Sequence, residues 1–346
     1  MSNVATGAFA ELDELDMAIV DDWQRNFPLV PRPFSVIAKQ NDVRESYVLE
    51  RYKALKEQRI LSRIGTILAP NTIGASVLAA MAVPIDQVDE IAASISSFAG
   101  VNHNYERENE LNLWFVVTAS DRQNVDQILA DIEATTGYQV YPFRLEQAYH
   151  LDLGFSIRPN RSHTKVVRAE EADMSCIQPE DRILLGALED GLPLVGRPYM
   201  ELAKTLGWTE ARVIGRLTDL LEGKIIRRFG CVVLHRRVGF KSNAMVVWDI
   251  ADDMVDQIAP KLARDPGVSL CYRRNRHEGR WPYNLYCMVH SSSREEAKCV
   301  IDRLNCQVGL NARNHTILFS RRCFKQRGAQ LGPAARSPSP HTVAAQ

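Results

Sequence analysis

The seven cysteines form no C-x-x-C pair and are odd in number, so neither a disulfide framework nor a zinc-finger spacing can be written from them. Reduced thiols are the ordinary reading, and a small buried hydrophobe is the plain role of each. The N-terminal stretch has no basic region followed by an apolar one. No apolar run approaches the roughly 20 residues that span a bilayer, so a cytoplasmic protein without a membrane partner is expected. A Gly-rich phosphate loop ending in Lys-Ser/Thr, a G-x-S-x-G elbow and an H-E-x-x-H helix are all missing. Those absences disfavour nucleotide hydrolysis, serine hydrolysis and zinc proteolysis. Charge of one sign is missing too: 42 Lys plus Arg face 42 Asp plus Glu, a handicap for a DNA-binding protein. What remains is an ordinary globular composition in a chain of 346 residues, long enough for two or three domains.

The chain is written twice. FPLVPRPF at Phe27–Phe34 returns as LPLVGRPY at Leu192–Tyr199, an offset of 165 that also pairs Glu45 with Glu210, Arg51 with Arg216, Arg63 with Arg228 and Gly65 with Gly230. Further along, Tyr105 meets Tyr272 at an offset of 167 and Asn112 meets Asn284 at 172, so the second copy carries a local insertion. A period this long denotes tandem domains and not a solenoid.

Each copy reads as three short helices and a strand pair, a winged helix-turn-helix, and then as β-α-β-β-α-β, a ferredoxin-like domain. The expected class is therefore α+β, a tandem duplication. Its boundaries are a first helix-turn-helix at 11–68, a first ferredoxin-like domain at 69–157 and a linker at 158–177. The second helix-turn-helix spans 178–233, the second ferredoxin-like domain 234–327, and a Pro/Ser/Ala-rich tail, expected to be disordered, 328–346. Each sheet needs a cover, and the other copy can supply it as an intramolecular pseudo-dimer. Further homo-oligomerisation through remaining sheet edges stays open.

Two hairpins carry candidate chemistry. In the first, strand alternation puts Val101, His103 and Tyr105 on one face, with Arg107 just beyond and Trp114 on the return strand. The plain readings are a core histidine, a solvated arginine and a core tryptophan. In the second, Arg273, Arg274, Arg276 and Arg280 crowd one turn against a single Glu278, among Tyr272, Trp281 and Tyr283. Arginine forks pair with carboxylates, so this cluster suggests a flat ligand with several acid groups, against the alternative of a solvated tip. His277 belongs to that tip, and His290 and His315 read as structural. The stretch Asp42–Lys56, which contains the recognition helix, carries a net of one positive charge, too little for specific nucleic acid binding.

A helix-turn-helix followed by a ferredoxin-like domain resembles the Lrp/AsnC regulators. The strings GLPLVGRPY, IIRRFGCVV, NAMVVWDI, CYRRNR, WPYNLYCMVH, HNYERENELNLWF and AYHLDLGF resemble the siroheme decarboxylases over roughly residues 11–327. In that family two related subunits act together, and this chain looks like their fusion. The resemblance implies a carboxy-lyase that removes two acetate carboxyls from siroheme, giving 12,18-didecarboxysiroheme on the way to heme d1 or heme. Siroheme is then substrate, with no further cofactor and no protein-bound metal required.

Carried onto this sequence, the family implies catalytic roles for His103 and Arg107. It implies substrate binding by Arg274 and its neighbours Arg273 and Arg276, while Tyr105, Trp114, Tyr272, Trp281 and Tyr283 are candidates for substrate binding from the hairpins themselves, as flat apolar area that suits a large planar ligand. The counterpart of His103 is Leu270, so the copies are not equivalent, and one site or two unequal ones are implied. Loss of CO2 leaves carbanion character on a methylene, and His103 is the candidate general acid, with ligation of the substrate iron as its alternative role. Two other classes compete: a regulator that senses a tetrapyrrole, and a carrier that returns it unchanged.

Overall fold

The computed structural model describes residues 12–151, 154, 171–234, 242–309 and 315–328. The first copy runs α1 (Glu14–Asp21), α2 (Pro33–Gln40), α3 (Glu45–Glu57) and β1 (Leu61–Leu68). It continues with β2 (Ala75–Met81), α4 (Val88–Ser97), β3 (Val101–Arg107), β4 (Leu113–Ala119), α5 (Arg122–Thr136), β5 (Tyr141–Phe143) and β6 (Leu145–Leu151). The second runs α6 (Asp181–Ala187), α7 (Pro198–Leu206), α8 (Glu210–Glu222) and β7 (Ile226–Val233), then β8 (Ser242–Trp248), α9 (Val255–Leu262), β9 (Val268–Arg274), β10 (Leu285–Ser291), α10 (Arg294–Val308) and β11 (His315–Gln326).

The repeated motifs have local structural reasons. The last proline of each Pro-rich turn, Pro33 or Pro198, is the first residue of a helix, where its missing N–H leaves nothing unsatisfied. The matched acids and arginines are ion pairs made twice. Arg51 bonds the fully buried Asp16 as Arg216 bonds the fully buried Asp181, and Arg32 bonds Glu45 as Arg197 bonds Glu210. Thr209 caps α8 by accepting from Arg212 N at 3.2 Å.

The copies are interleaved more deeply than two wings and two sheets laid side by side. Among the described residues each helix-turn-helix has one wing strand, not the expected pair; β1 and β7 pair with each other, antiparallel, and Gly65 faces Gly230 in the ribbon. A Cβ on Gly230 would sit 2.4 Å from the Trp23 carbonyl oxygen, so only glycine lets β7 pass there. Beneath the ribbon one hydrophobic core joins both units, with Phe34, Tyr52 and Ile64 from the first and Tyr199, Leu217 and Phe229 from the second.

The ferredoxin-like domains share one nine-stranded sheet in the order β5-β2-β4-β3-β11-β8-β10-β9-β6. The first half of β11 pairs with β8 of its own copy and the second half with β3 of the other. The equivalent segment of the first copy behaves likewise, as β5 on β2 and β6 on β9. Because β5 and β6 are separated by Arg144 alone, the two ends of the strand order are consecutive in the chain and the sheet curls until its edges meet. Helices α4, α5, α9 and α10 cover the outside through two apolar cores. The inside is filled at one end by Trp114, Phe143, Trp281, Tyr286 and Leu318.

The linker expected at 158–177 is shorter than that at its C-terminal end. Residues from Ala172 onward are docked on the second helix-turn-helix: Asp173 N donates to Gly223 O at 2.8 Å and Cys176 O accepts from Arg216 at 3.0 Å. Residues 158–170 of that segment lie outside the described residues, as does the tail from 329 onward. No described helix is long and apolar enough to cross a membrane.

Candidate functional site

A cavity of about 500 Å³ opens inside the curled sheet beside the Trp114–Trp281 core, which shares Trp114 and Tyr286 with its wall. Its walls come from both copies: His103, Tyr105 and Arg107 on β3 and Trp114, Val116 and Thr118 on β4 face Leu270, Tyr272 and Arg274 on β9 and Tyr286, Met288 and His290 on β10. The wing strand β1 closes it from the helix-turn-helix side with Arg63, Thr66 and Ile67. Alternation along β3 places the first three residues together, with one local irregularity. A register shift between Val101 and His103 turns Val101 toward α4, into the outer core, and corrects the expected sharing of one face.

The two arginines are held by equivalent bonds across the duplication. Arg107 donates to Leu318 O at 3.0 Å on the other copy's bridging strand, and Arg274 donates to Phe143 O at 2.8 Å on the first copy's. Each guanidinium lies over the tyrosine two residues before it, 5.6 Å from the Tyr105 ring and 5.3 Å from that of Tyr272. Burial pulls Arg274 below its ordinary pKa, and its Nε has no partner among the described residues. Burial likewise raises the Tyr272 hydroxyl to about 12. These cations are stacked, fixed at one end and open toward the cavity, the arrangement that receives carboxylates.

His103 stacks on Tyr105, ring centroids 6.2 Å apart and planes 12° apart. Burial, helped by the charge of Arg63, lowers its pKa to about 4, so the imidazole is neutral at neutral pH in the unliganded protein. Its counterpart Leu270 lies on the opposite wall. The second copy supplies its own imidazole one strand away, where His290 takes the position of Thr118 and its Nδ1 is 2.9 Å from Ser269 Oγ. The cavity is thus symmetric in its two strand arginines, Arg107 and Arg274, and asymmetric in histidines.

The structure brings His103, Tyr105, Arg107, Trp114, Tyr272 and Arg274 together and leaves four expected residues elsewhere. Arg273 points to the opposite face of β9, as alternation requires, and pairs with Glu146 at 2.9 Å and Asp252 at 3.2 Å. Arg276, beyond the strand, pairs with Asp252 at 2.6 Å and Asp249 at 3.1 Å, and Arg280 with Glu110 at 3.0 Å. The arginine cluster therefore does have anionic partners, but they are this chain's own carboxylates. Trp281 donates to Tyr286 OH at 2.8 Å and packs on Trp114 behind the cavity wall, and Tyr283 bonds Thr316 at 2.6 Å. His277 bonds Pro142 O in the hairpin, consistent with its tip position. Arg63 and His290 were missed as lining residues. The repeat aligned Arg63 with Arg228, but alignment says nothing of which copy faces a cavity. Among the described residues no cluster of three or more metal-ligating side chains occurs.

Two family models match the chain in duplicate: an AsnC-like ligand binding domain at residues 73–147 and 237–325, and a siroheme decarboxylase NirDL-like HTH domain at 16–61 and 181–227. The chain is 43% identical to the siroheme decarboxylase NirDL subunit of Paracoccus denitrificans over 94% of its own length and 99% of that protein. A NirD subunit from Pseudomonas aeruginosa is 40% identical over 43% of this chain and the whole of its own length, as expected where one copy matches one subunit. Among solved structures, siroheme decarboxylase NirDL superposes with a TM-score of 0.68 at 26% identity, covering 92% of this chain and 94% of that one. The same protein in complex with an iron-uroporphyrin III analogue gives a TM-score of 0.64, covering 92% and 93%.

Proposed function

This chain belongs to the siroheme decarboxylase family, and from that premise we propose that it removes two acetate carboxyl groups of siroheme, giving 12,18-didecarboxysiroheme for heme d1 or heme formation. The reaction makes it a carboxy-lyase. The observation that carries the reading is the shared cavity, in which Arg107 and Arg274 face the interior from opposite copies beside tyrosine rings and one deeply set imidazole. A flat macrocycle with carboxylates around its rim meets cations on two sides and aromatic faces between them.

In the step itself the bond between methylene and carboxyl carbon breaks, CO2 leaves, the electron pair stays on the methylene and a proton completes the methyl group. Arg107 and Arg274 hold the carboxylates that do not react. His103 supplies the proton. An imidazole near pKa 4 is neutral at neutral pH and lacks the second, acidic proton, so it must acquire one as the anionic substrate enters and raises its proton affinity. The iron arrives with the substrate, and no residue of this chain is required to bring a metal. Seven cysteines without a disulfide fit a reducing, cytoplasmic setting.

Anaerobic incubation with siroheme, followed by mass measurement of the extracted tetrapyrrole, tests the reading. Loss of two carboxyl groups is expected. Siroheme recovered unchanged would overturn it in favour of a carrier.

A further inference from the structure

Arg63 is the one cavity arginine that stands on a helix-turn-helix wing instead of on the sheet. Its stem is fixed by the other copy: a Cβ on Gly191, a glycine with φ of +95°, would lie 2.6 Å from the Arg63 Cβ, and Leu192 N bonds the neighbouring Ile64 O at 2.7 Å. Its guanidinium lies against Gly328, where an added Cβ would come 3.1 Å from Cζ. Among the described residues that guanidinium has no ion pair. Its Nε is buried without a partner, and one long contact of 3.4 Å reaches Thr66 O. The repeat supplies a contrast: Arg228, at the same position of the second copy, donates to the carbonyls of Gln24 at 2.9 Å and Cys231 at 3.2 Å. Glu189 and Asp190 of the other copy favour its charge without pairing with it, and burial outweighs them. A desolvated guanidinium beside a cavity, with no ion pair among the described residues, is costly unless something that enters the cavity compensates it.

We infer that Arg63 is a third carboxylate-binding residue of this site, by which the first helix-turn-helix holds a side-chain carboxylate of the tetrapyrrole next to His103. The inference rests on the siroheme reading above. It also gives the helix-turn-helix a use without DNA, as the wall that completes the cavity. Neutralising Arg63 in this way removes one of the two influences that keep His103 unprotonated, burial being the larger. Tyr105 and Arg107 on its own strand, Tyr272 and Arg274 on β9, Tyr286, Cys287 and His290 on β10, Glu189 and Arg327 line the cavity with that imidazole, and Arg63 from β1 is the cation whose charge acts on it.

The test compares wild type, Arg63→Ala and Arg63→Lys by siroheme titration, single-turnover decarboxylation and thermal unfolding. Arg63→Ala should bind siroheme roughly ten- to a hundredfold more weakly, the scale of one charged hydrogen-bond partner. Arg63→Lys should recover most of the affinity, with unfolding temperatures unchanged. Unaltered affinity in Arg63→Ala overturns the inference, as does equal loss in both variants accompanied by a lowered unfolding temperature, which would mark a structural arginine. Failure of the wild type to release CO2 counts against the decarboxylase reading alone, because the affinity ratio still judges Arg63.

Discussion

His103 ties the stability of the fold to pH in a direction that can be worked out. Its folded pKa is lowered from 6.5 to about 4 because burial opposes the charged form. A group depressed in this way contributes stability that is complete above the unfolded pKa and is lost as pH falls toward the folded one. The window is therefore pH 6.5 down to 4. At pH 5 the unfolded imidazole is mostly protonated and the folded one is not, which amounts to a loss of about 2 kcal/mol, rising toward about 3 below pH 4. The imidazole faces an open cavity, so water there sets these values as upper limits. The comparison variant is His103→Leu, since the second copy already carries Leu270 at this position. Urea unfolding of both proteins at pH 7 and pH 5 should show the wild type losing up to about 2 kcal/mol more than the variant. Equal losses, within about 0.5 kcal/mol, would refute the claim that the imidazole is held neutral by burial, and with it the argument that substrate must bring about its protonation.

Other consequences are simpler to state. His103→Ala should still bind siroheme while turning it over about two to four orders of magnitude more slowly, the usual scale for a general acid; near-normal turnover removes it from the mechanism, and lost binding with an altered absorption spectrum assigns it to the iron. Arg274→Ala should weaken siroheme binding roughly ten- to a hundredfold in titration, whereas Arg273→Ala, whose partners are Glu146 and Asp252, should leave affinity within about threefold. Arg216→Ala strands the buried Asp181 carboxylate and should cost about 3 to 5 kcal/mol in denaturant unfolding. Proteolytic cleavage near Arg161 should leave the halves associated in size-exclusion chromatography, because β6 and β11 each hydrogen-bond into the other copy's strands.

The helices and most strands were legible because each is a local property. β9 occupies Val268–Arg274 as alternation predicts, and α5 begins after the Asp121 cap and stops at Gly137, whose φ is +73°. His103 and Tyr105 were legible together because a strand of period two gave their common face, with Arg107 expected just beyond it; Tyr272 followed from the repeat, and Arg274 from the arginine cluster and the family resemblance. Arg273 shows the limit of counting charges: four arginines in one turn look unpaired only while Asp249, Asp252, Glu110 and Glu146, distant in sequence, are out of view. Trp281 and Tyr283 fail similarly, since an aromatic beside a cavity and one behind its wall have the same sequence signature.

The exchange of final strands was invisible for a different reason. A strand that pairs with its own copy and one that crosses to the other present the same alternation, and only the geometry of the assembled pair selects between them. Yet that exchange makes the site. The carbonyl that holds Arg107 is on β11 and the one that holds Arg274 is on β5, so each copy's arginine is aimed by the other copy's C-terminal bridging segment. The two copies keep these mutual supports but differ in the residues that face the cavity, with His103 opposite Leu270 and His290 opposite Thr118. Fusing the copies fixes which face meets which. A separate homodimer of either half could not keep one imidazole against its replacement, because its symmetry would place the same residue on both walls.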